Sequence, residues 1–149
     1  MRFQRVVTLL ALAVLALGGW AGGLALVTDR SGGRLHLTAD ELPSWLRLDD
    51  YLVPGVLLIV LFGLLPVVAV VLLVRRSPRG WSLTVAVGLL LILWTLGQLV
   101  VLGLTFVPVQ AGMLGLGIVL TGLGVDGGTQ ARVVDESKPG VESYEHDQS

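Results

Sequence analysis

The sequence predicts an all-α membrane protein, a bundle of four transmembrane helices with both termini on the cytoplasmic side (N-in/C-in). Composition is the first observation. Of the 149 residues, 54% are apolar and 14% charged, with a mean hydropathy of +0.83, whereas an average globular domain carries roughly a quarter charged residues. The second is segregation: every Asp, Glu, Lys and Arg falls within 1–5, 29–50, 75–79 or 126–149. The third is the length of the uncharged windows, which are 23 residues for 6–28, 24 for 51–74 and 46 for 80–125. A helix rises about 1.5 Å per residue and a bilayer core is about 30 Å thick, so about 20 residues make one crossing. The first two windows each fit one span, and the third folds back as two.

The first span covers 6–28. Arg2 and Arg5 precede it, so a secretory signal is the competing reading, with Gly18, Gly19, Ala21, Gly22 and Gly23 as small residues near a processing site. The apolar run continues to Val27 without a clean Ala-x-Ala site and three more spans follow, which favours an uncleaved anchor. This helix carries two overlapping small-xxx-small motifs, Gly18 with Gly22 and Gly19 with Gly23, flanking Trp20. In lipid, where apolar burial no longer drives association, such residues let backbones approach closely. They fit packing within the bundle or a homodimer.

The second span covers 51–74. Asp49 or Asp50 can cap it, Tyr51 sits at interface depth, and Pro54 falls in the first turn, where its missing donor is harmless. Pro66 near the centre denies a hydrogen bond to the Phe62 carbonyl and predicts a bend. The third span, 81–104, carries Thr84, Gly88, Leu91, Thr95 and Gln98 at spacings of 4, 3, 4 and 3, a polar stripe on one side that faces protein. Gln98 needs a partner in hydrocarbon, such as a backbone carbonyl or Thr121. Thr105 to Gln110, with Pro108, marks the fold-back. The fourth span, 109–125, places Ala111 with Gly115 and Gly117 with Thr121 four residues apart, so each pair shares a face for packing inside the bundle. The membrane domain is thus 1–125.

The connecting segments set topology. Arg2, Arg5, Arg75, Arg76, Arg79, Arg132 and Lys138 lie on the side of the termini, against Arg30, Arg34 and Arg47 on the other. That bias places the termini in the cytoplasm of a plasma membrane. The three arginines of the 75–79 turn also attract anionic headgroups. In the first loop, Leu42, Trp45 and Leu46, on one face of a turn starting at Pro43, suit a short turn or helix lying on the extracellular membrane surface. His36 and Asp40, with Asp49 and Asp50 nearby, are weak material for a metal site, so no metal is expected. Residues 126–149 hold six acids and two bases among few apolar residues, the composition of a disordered acidic tail.

The absence of cysteine excludes disulfides, thiolate metal sites, a cysteine nucleophile and a cysteine-linked lipid anchor. No Asp, Glu, His, Lys or Arg lies inside a predicted span, which argues against proton relays, ion-coupled carriage and buried catalysis. Neither His36 nor His146 can ligate a haem between helices, and no cofactor is expected. Sparse basic residues form no nucleic-acid-binding stripe.

The run Leu48-Asp49-Asp50-Tyr51-Leu52-Val53-Pro54-Gly55, then Arg75-Arg76, Trp81, Gly88, Trp94 and Gln98, resembles a group of small four-span integral membrane proteins of actinobacteria. The resemblance covers about residues 42–125. It implies the same four-helix fold and a plasma-membrane location, and brings no activity with it. The expected role is a non-enzymatic accessory or scaffold subunit whose partners are the lipid bilayer and either a second copy or a larger membrane protein. The alternatives are a small transporter or channel along Thr84, Thr95 and Gln98, and a lipid-processing enzyme using Asp49 and Asp50.

Overall fold

The computed structural model describes residues 2–29, 52–102 and 107–137. The first-loop segment with its expected surface turn, the Asp49 to Tyr51 cap, the fold-back residues 103–106 and the tail from 138 lie outside the described residues. Four helices are long and apolar enough to cross a membrane, and among the described residues there is no strand. They are α1 (Arg2–Thr28), α2 (Leu52–Val74), α3 (Arg79–Leu102) and α4 (Val107–Glu136). The bundle is all-α, as its sequence predicts.

Each helix runs antiparallel to the next, and α4 returns to the start of α1. Gly19 of α1 faces Phe62 of α2, Gly80 of α3 faces Leu73 of α2, and Gly88 of α3 faces Thr121 of α4. The buried core draws on every helix: Leu12 and Leu15 from α1, Phe62, Ala69 and Leu73 from α2, Val87 and Leu91 from α3, Leu120 from α4. The Phe62 and Trp94 rings meet edge to face, with centroids 5.8 Å apart and planes at 63°. Such pairs contribute about 0.5–1.5 kcal/mol beyond area burial. Large exposed residues such as Leu10, Val14, Leu93 and Ile118 are the surface that lipid covers.

Pro66 acts on α2 in a way the expected bend does not describe. The six residues before Leu65, Ile59–Leu64, adopt π-helical geometry between two α-helical stretches. The Leu65 N–H donates to the Val60 carbonyl, five residues back. A proline has no N–H for the carbonyl four residues before it, and a π turn absorbs that loss by shifting the hydrogen-bond register locally. α2 then ends in a Schellman motif. The Arg76 N–H donates to Leu73 O at 3.0 Å and the Ser77 N–H to Leu72 O at 2.9 Å, with Arg76 in the left-handed region at φ 57°. Pro78 follows, where a helix cannot continue.

The fourth helix departs most from expectation. It begins at Val107, keeps Pro108 in its first turn, and runs past Val125 to Glu136, so residues 126–136 of the expected disordered tail are helical. Thirty residues span about 45 Å, well beyond a bilayer core. The change in composition at Asp126 marks where α4 leaves the apolar layer, and contacts with α1 and α3 hold the helix together beyond it.

Candidate functional site

The helix-packing residues divide into those that meet another helix of this chain and those that face outward. In α1 the two overlapping motifs separate in this way. Gly19 and Gly23 are buried, and a Cβ on Gly19 would collide with the Phe62 backbone, standing 2.6 Å from Gly63 N. One on Gly23 would collide with Ile59 and lie 2.8 Å from Gly55 O. The α1 backbone therefore rests directly on the π-helical stretch of α2. Gly18 is exposed with nothing within 4 Å of an added Cβ, and Gly22 is half-buried with only Leu58 Cδ1 at 4.0 Å.

The α3–α4 seam is longer. A Cβ on Gly88 would stand 2.7 Å from Thr121 N and 2.8 Å from Gly117 O, and one on Gly117 would stand 3.0 Å from Gly88 O. Gly124 continues the seam against Val85 N at 2.9 Å, and Gly127 lies under the Trp81 ring, 2.6 Å from Cδ2. Thr84, Leu91 and Thr95 are fully buried beside these glycines. Their hydroxyls stay within their own helices: Thr84 Oγ1 donates to Gly80 O, Thr95 Oγ1 to Leu91 O and Thr121 Oγ1 to Gly117 O, each at 2.8 Å. Bonding four residues back satisfies a hydroxyl in hydrocarbon without a partner helix.

Gln98 is half-buried near the end of α3. Its expected partner Thr121 packs at Gly88 instead, about 15 Å away along the helix axis. The register that sets Gly88 against Thr121 and Ile92 against Gly117 puts Gln110 and Ala111 level with Gln98. Gly115 also departs from the expected interior packing. It is exposed, and nothing lies within 4 Å of an added Cβ there or at Gly112 and Gly122. Gly112, Gly115, Val119 and Gly122 follow at 3, 4 and 3 and form one outward strip.

A polar clasp, absent from the sequence reading, joins α1 to the extension of α4. Gln4 Nε2 donates to Asp126 Oδ2 at 2.9 Å and to Leu123 O at 3.2 Å. Gln130 Nε2 donates to the same Asp126 oxygen at 3.0 Å and to Gln4 Oε1 at 3.4 Å. The clasp, the Arg75–Ser77 turn and Trp81 lie at one end of the bundle, so Arg5, Arg75, Arg76, Arg79 and Arg132 gather there too. The packing roles of Gly55 and Gly63 of α2 were also missed. Gly55 brings Gly23 O within 3.1 Å of its added Cβ, and Gly63 sits under the Trp20 indole at 3.1 Å from Nε1. Their spacing of eight, near two helical turns, is a signal the sequence does carry.

Comparisons with protein-family models, with curated proteins and with solved structures give no match to this chain. Among the described residues of the resemblance motif, Gly55 has a clear packing reason, since a Cβ there would lie 3.0 Å from both Leu26 and Val27 side chains.

Proposed function

We propose that this four-span protein is a small non-enzymatic accessory or scaffold subunit of the plasma membrane, which packs through α4 against a second copy or a larger membrane protein. The outward strip of Gly112, Gly115 and Gly122 carries the reading. Each glycine in a helix interior costs about 1 kcal/mol relative to alanine. The inward glycines recover that through close approach, while the outward ones meet nothing among the described residues. A partner helix packed on the strip would recover it in the same way. The strip on α4 is broader than the outward part of α1, because Gly22 already leans on Leu58. The arginines gathered at the end where α1 starts and α4 finishes support a cytoplasmic side for that end.

The internal bonding of Thr84, Thr95 and Thr121 weighs against the channel reading, since those hydroxyls are turned to their own carbonyls. The chain lacks cysteine, so single cysteines report cleanly. Cysteine at Gly115 in full-length protein in its native membrane should crosslink to a second copy or to one larger partner, and cysteine at lipid-facing Leu93 should not. Failure of both to crosslink, or reaction of a Thr95→Cys variant with a water-soluble thiol reagent, would overturn the proposal.

A further inference from the structure

At the arginine-rich end, a cavity of about 360 Å³ opens between the start of α3 and the extension of α4. Its polar wall is Arg79 and Ser82 from α3 with Thr129 and Arg132 from α4. Deeper in, Val85 and Val125 replace them. Val85 lies six residues beyond Arg79 and Val125 seven before Arg132, so the wall turns from cationic to apolar over about 10 Å. Neither arginine has an ion pair or a side-chain hydrogen bond among the described residues. Asp126 on α4 is held by Gln4 and Gln130, and Glu136, one turn beyond Arg132, does not line the cavity. Two arginines therefore line an open space whose described wall contains no acidic side chain.

We infer that this cavity is a binding site for the phosphodiester headgroup of an anionic phospholipid, with the upper acyl segments against Val85 and Val125. Guanidinium forks match phosphate oxygens geometrically, and Ser82 and Thr129 offer hydroxyls beside them. Basic pockets between transmembrane helices hold such headgroups because charge and depth are satisfied together. The depth is right here. Arg79 closes the charged 75–79 turn and Val125 is the last residue of the uncharged window, so the cationic wall stands at headgroup level and the valines in the acyl layer. A soluble phosphate would use the arginines and leave the apolar part of the cavity unfilled. The site is separate from the outward glycine strip and is tested separately.

The test is native mass spectrometry of the full-length chain after exchange from mixed phosphatidylglycerol and phosphatidylcholine. One phosphatidylglycerol should stay bound in preference to phosphatidylcholine. The double variant Arg79→Gln/Arg132→Gln should lose at least about tenfold in occupancy, as expected when charge-assisted contacts are removed. The charge-matched double variant Arg75→Gln/Arg76→Gln should stay within about twofold of the parent, because exposed charges outside the cavity contribute little. Gly128→Leu supplies a second, charge-neutral probe: Gly128 lines the cavity and an added Cβ there meets only Trp81 Cβ at 3.6 Å, an ordinary contact, so a bulkier side chain is tolerated and should also lower lipid occupancy. Equal losses in the two arginine pairs would reduce the effect to diffuse surface attraction and overturn the site. So would an absence of headgroup preference, or displacement of the lipid by millimolar inorganic phosphate.

Discussion

In the α3–α4 hairpin, Gly88, Gly117, Gly124 and Gly127 line an unbroken pair of α-helices. In the α1–α2 hairpin, Gly19 and Gly23 meet a helix that has widened to π geometry between Ile59 and Leu64. Both hairpins bring backbones together through glycine, and they differ in what the facing backbone can do. α3 and α4 stay α-helical throughout, and threonine hydroxyls add bonds within the same helix. In α2, Pro66 removes one donor, and the backbone around Phe62 reorganises where α1 presses on it. Close packing in lipid therefore needs small residues on both sides, and it tolerates an irregular helix if the partner has no side chain at the irregularity.

The strongest way to break this comparison is Gly88→Leu. Its added carbons meet Thr121 N and Gly117 O, which are backbone atoms and cannot step aside. A loss of at least about 3 kcal/mol in reversible unfolding from detergent is expected. A loss near zero would mean that the α3–α4 seam opens without cost. Pro66→Ala comes next. Restoring the amide should return Ile59–Leu64 towards α geometry and slow amide exchange there, with a gain of about 1–2 kcal/mol, less than the full cost of an unaccommodated proline. Unchanged exchange would show that packing of Gly19 and Gly23, and not the proline, imposes the π turn.

Asp126→Ala should cost about 1 kcal/mol, since the clasp lies partly in water, and should speed exchange in α4 beyond residue 126. Equal protection with and without the carboxylate would show that Gly127 packing alone carries the extension. The smallest effect is expected at Arg76, the one described non-glycine residue with positive φ. Arg76→Gly should raise stability by about 0.5–1 kcal/mol by removing the left-handed strain.

The sequence made these regions legible to different degrees. Charge segregation located three uncharged windows, because charged groups are expelled from hydrocarbon wherever they fall in the chain, and length with Pro108 divided the third into two crossings. The stripe of Thr84, Gly88, Leu91 and Thr95 was readable because helical spacing alone puts those residues on one side. The roles of Gly18 and Gly19 were not. The motifs are equivalent in sequence, and only the position of α2 decides which one is buried. The extension of α4 was hidden for a related reason. Composition reports that Asp126 to Glu136 leaves the membrane, while its helicity depends on Gln4 and Trp81, which lie far away in the chain. The cavity between Arg79 and Arg132 was invisible on the same ground, since one arginine belonged to a turn and the other to the tail read as disordered.

Two glycines separated by one residue give the most direct test that α4 uses opposite faces for its own fold and for a partner. Gly117→Leu and Gly115→Leu are compared in the full-length chain, measuring unfolding in detergent together with crosslinking in membranes through a cysteine at Gly122. Gly117→Leu should lose about 3 kcal/mol or more of stability, because its neighbours are Ile92 and the backbone of Gly88. Gly115→Leu should stay within about 0.5 kcal/mol of the parent and abolish the crosslink. Equal destabilisation by both, or full crosslinking in the Gly115→Leu chain, would contradict the division of faces.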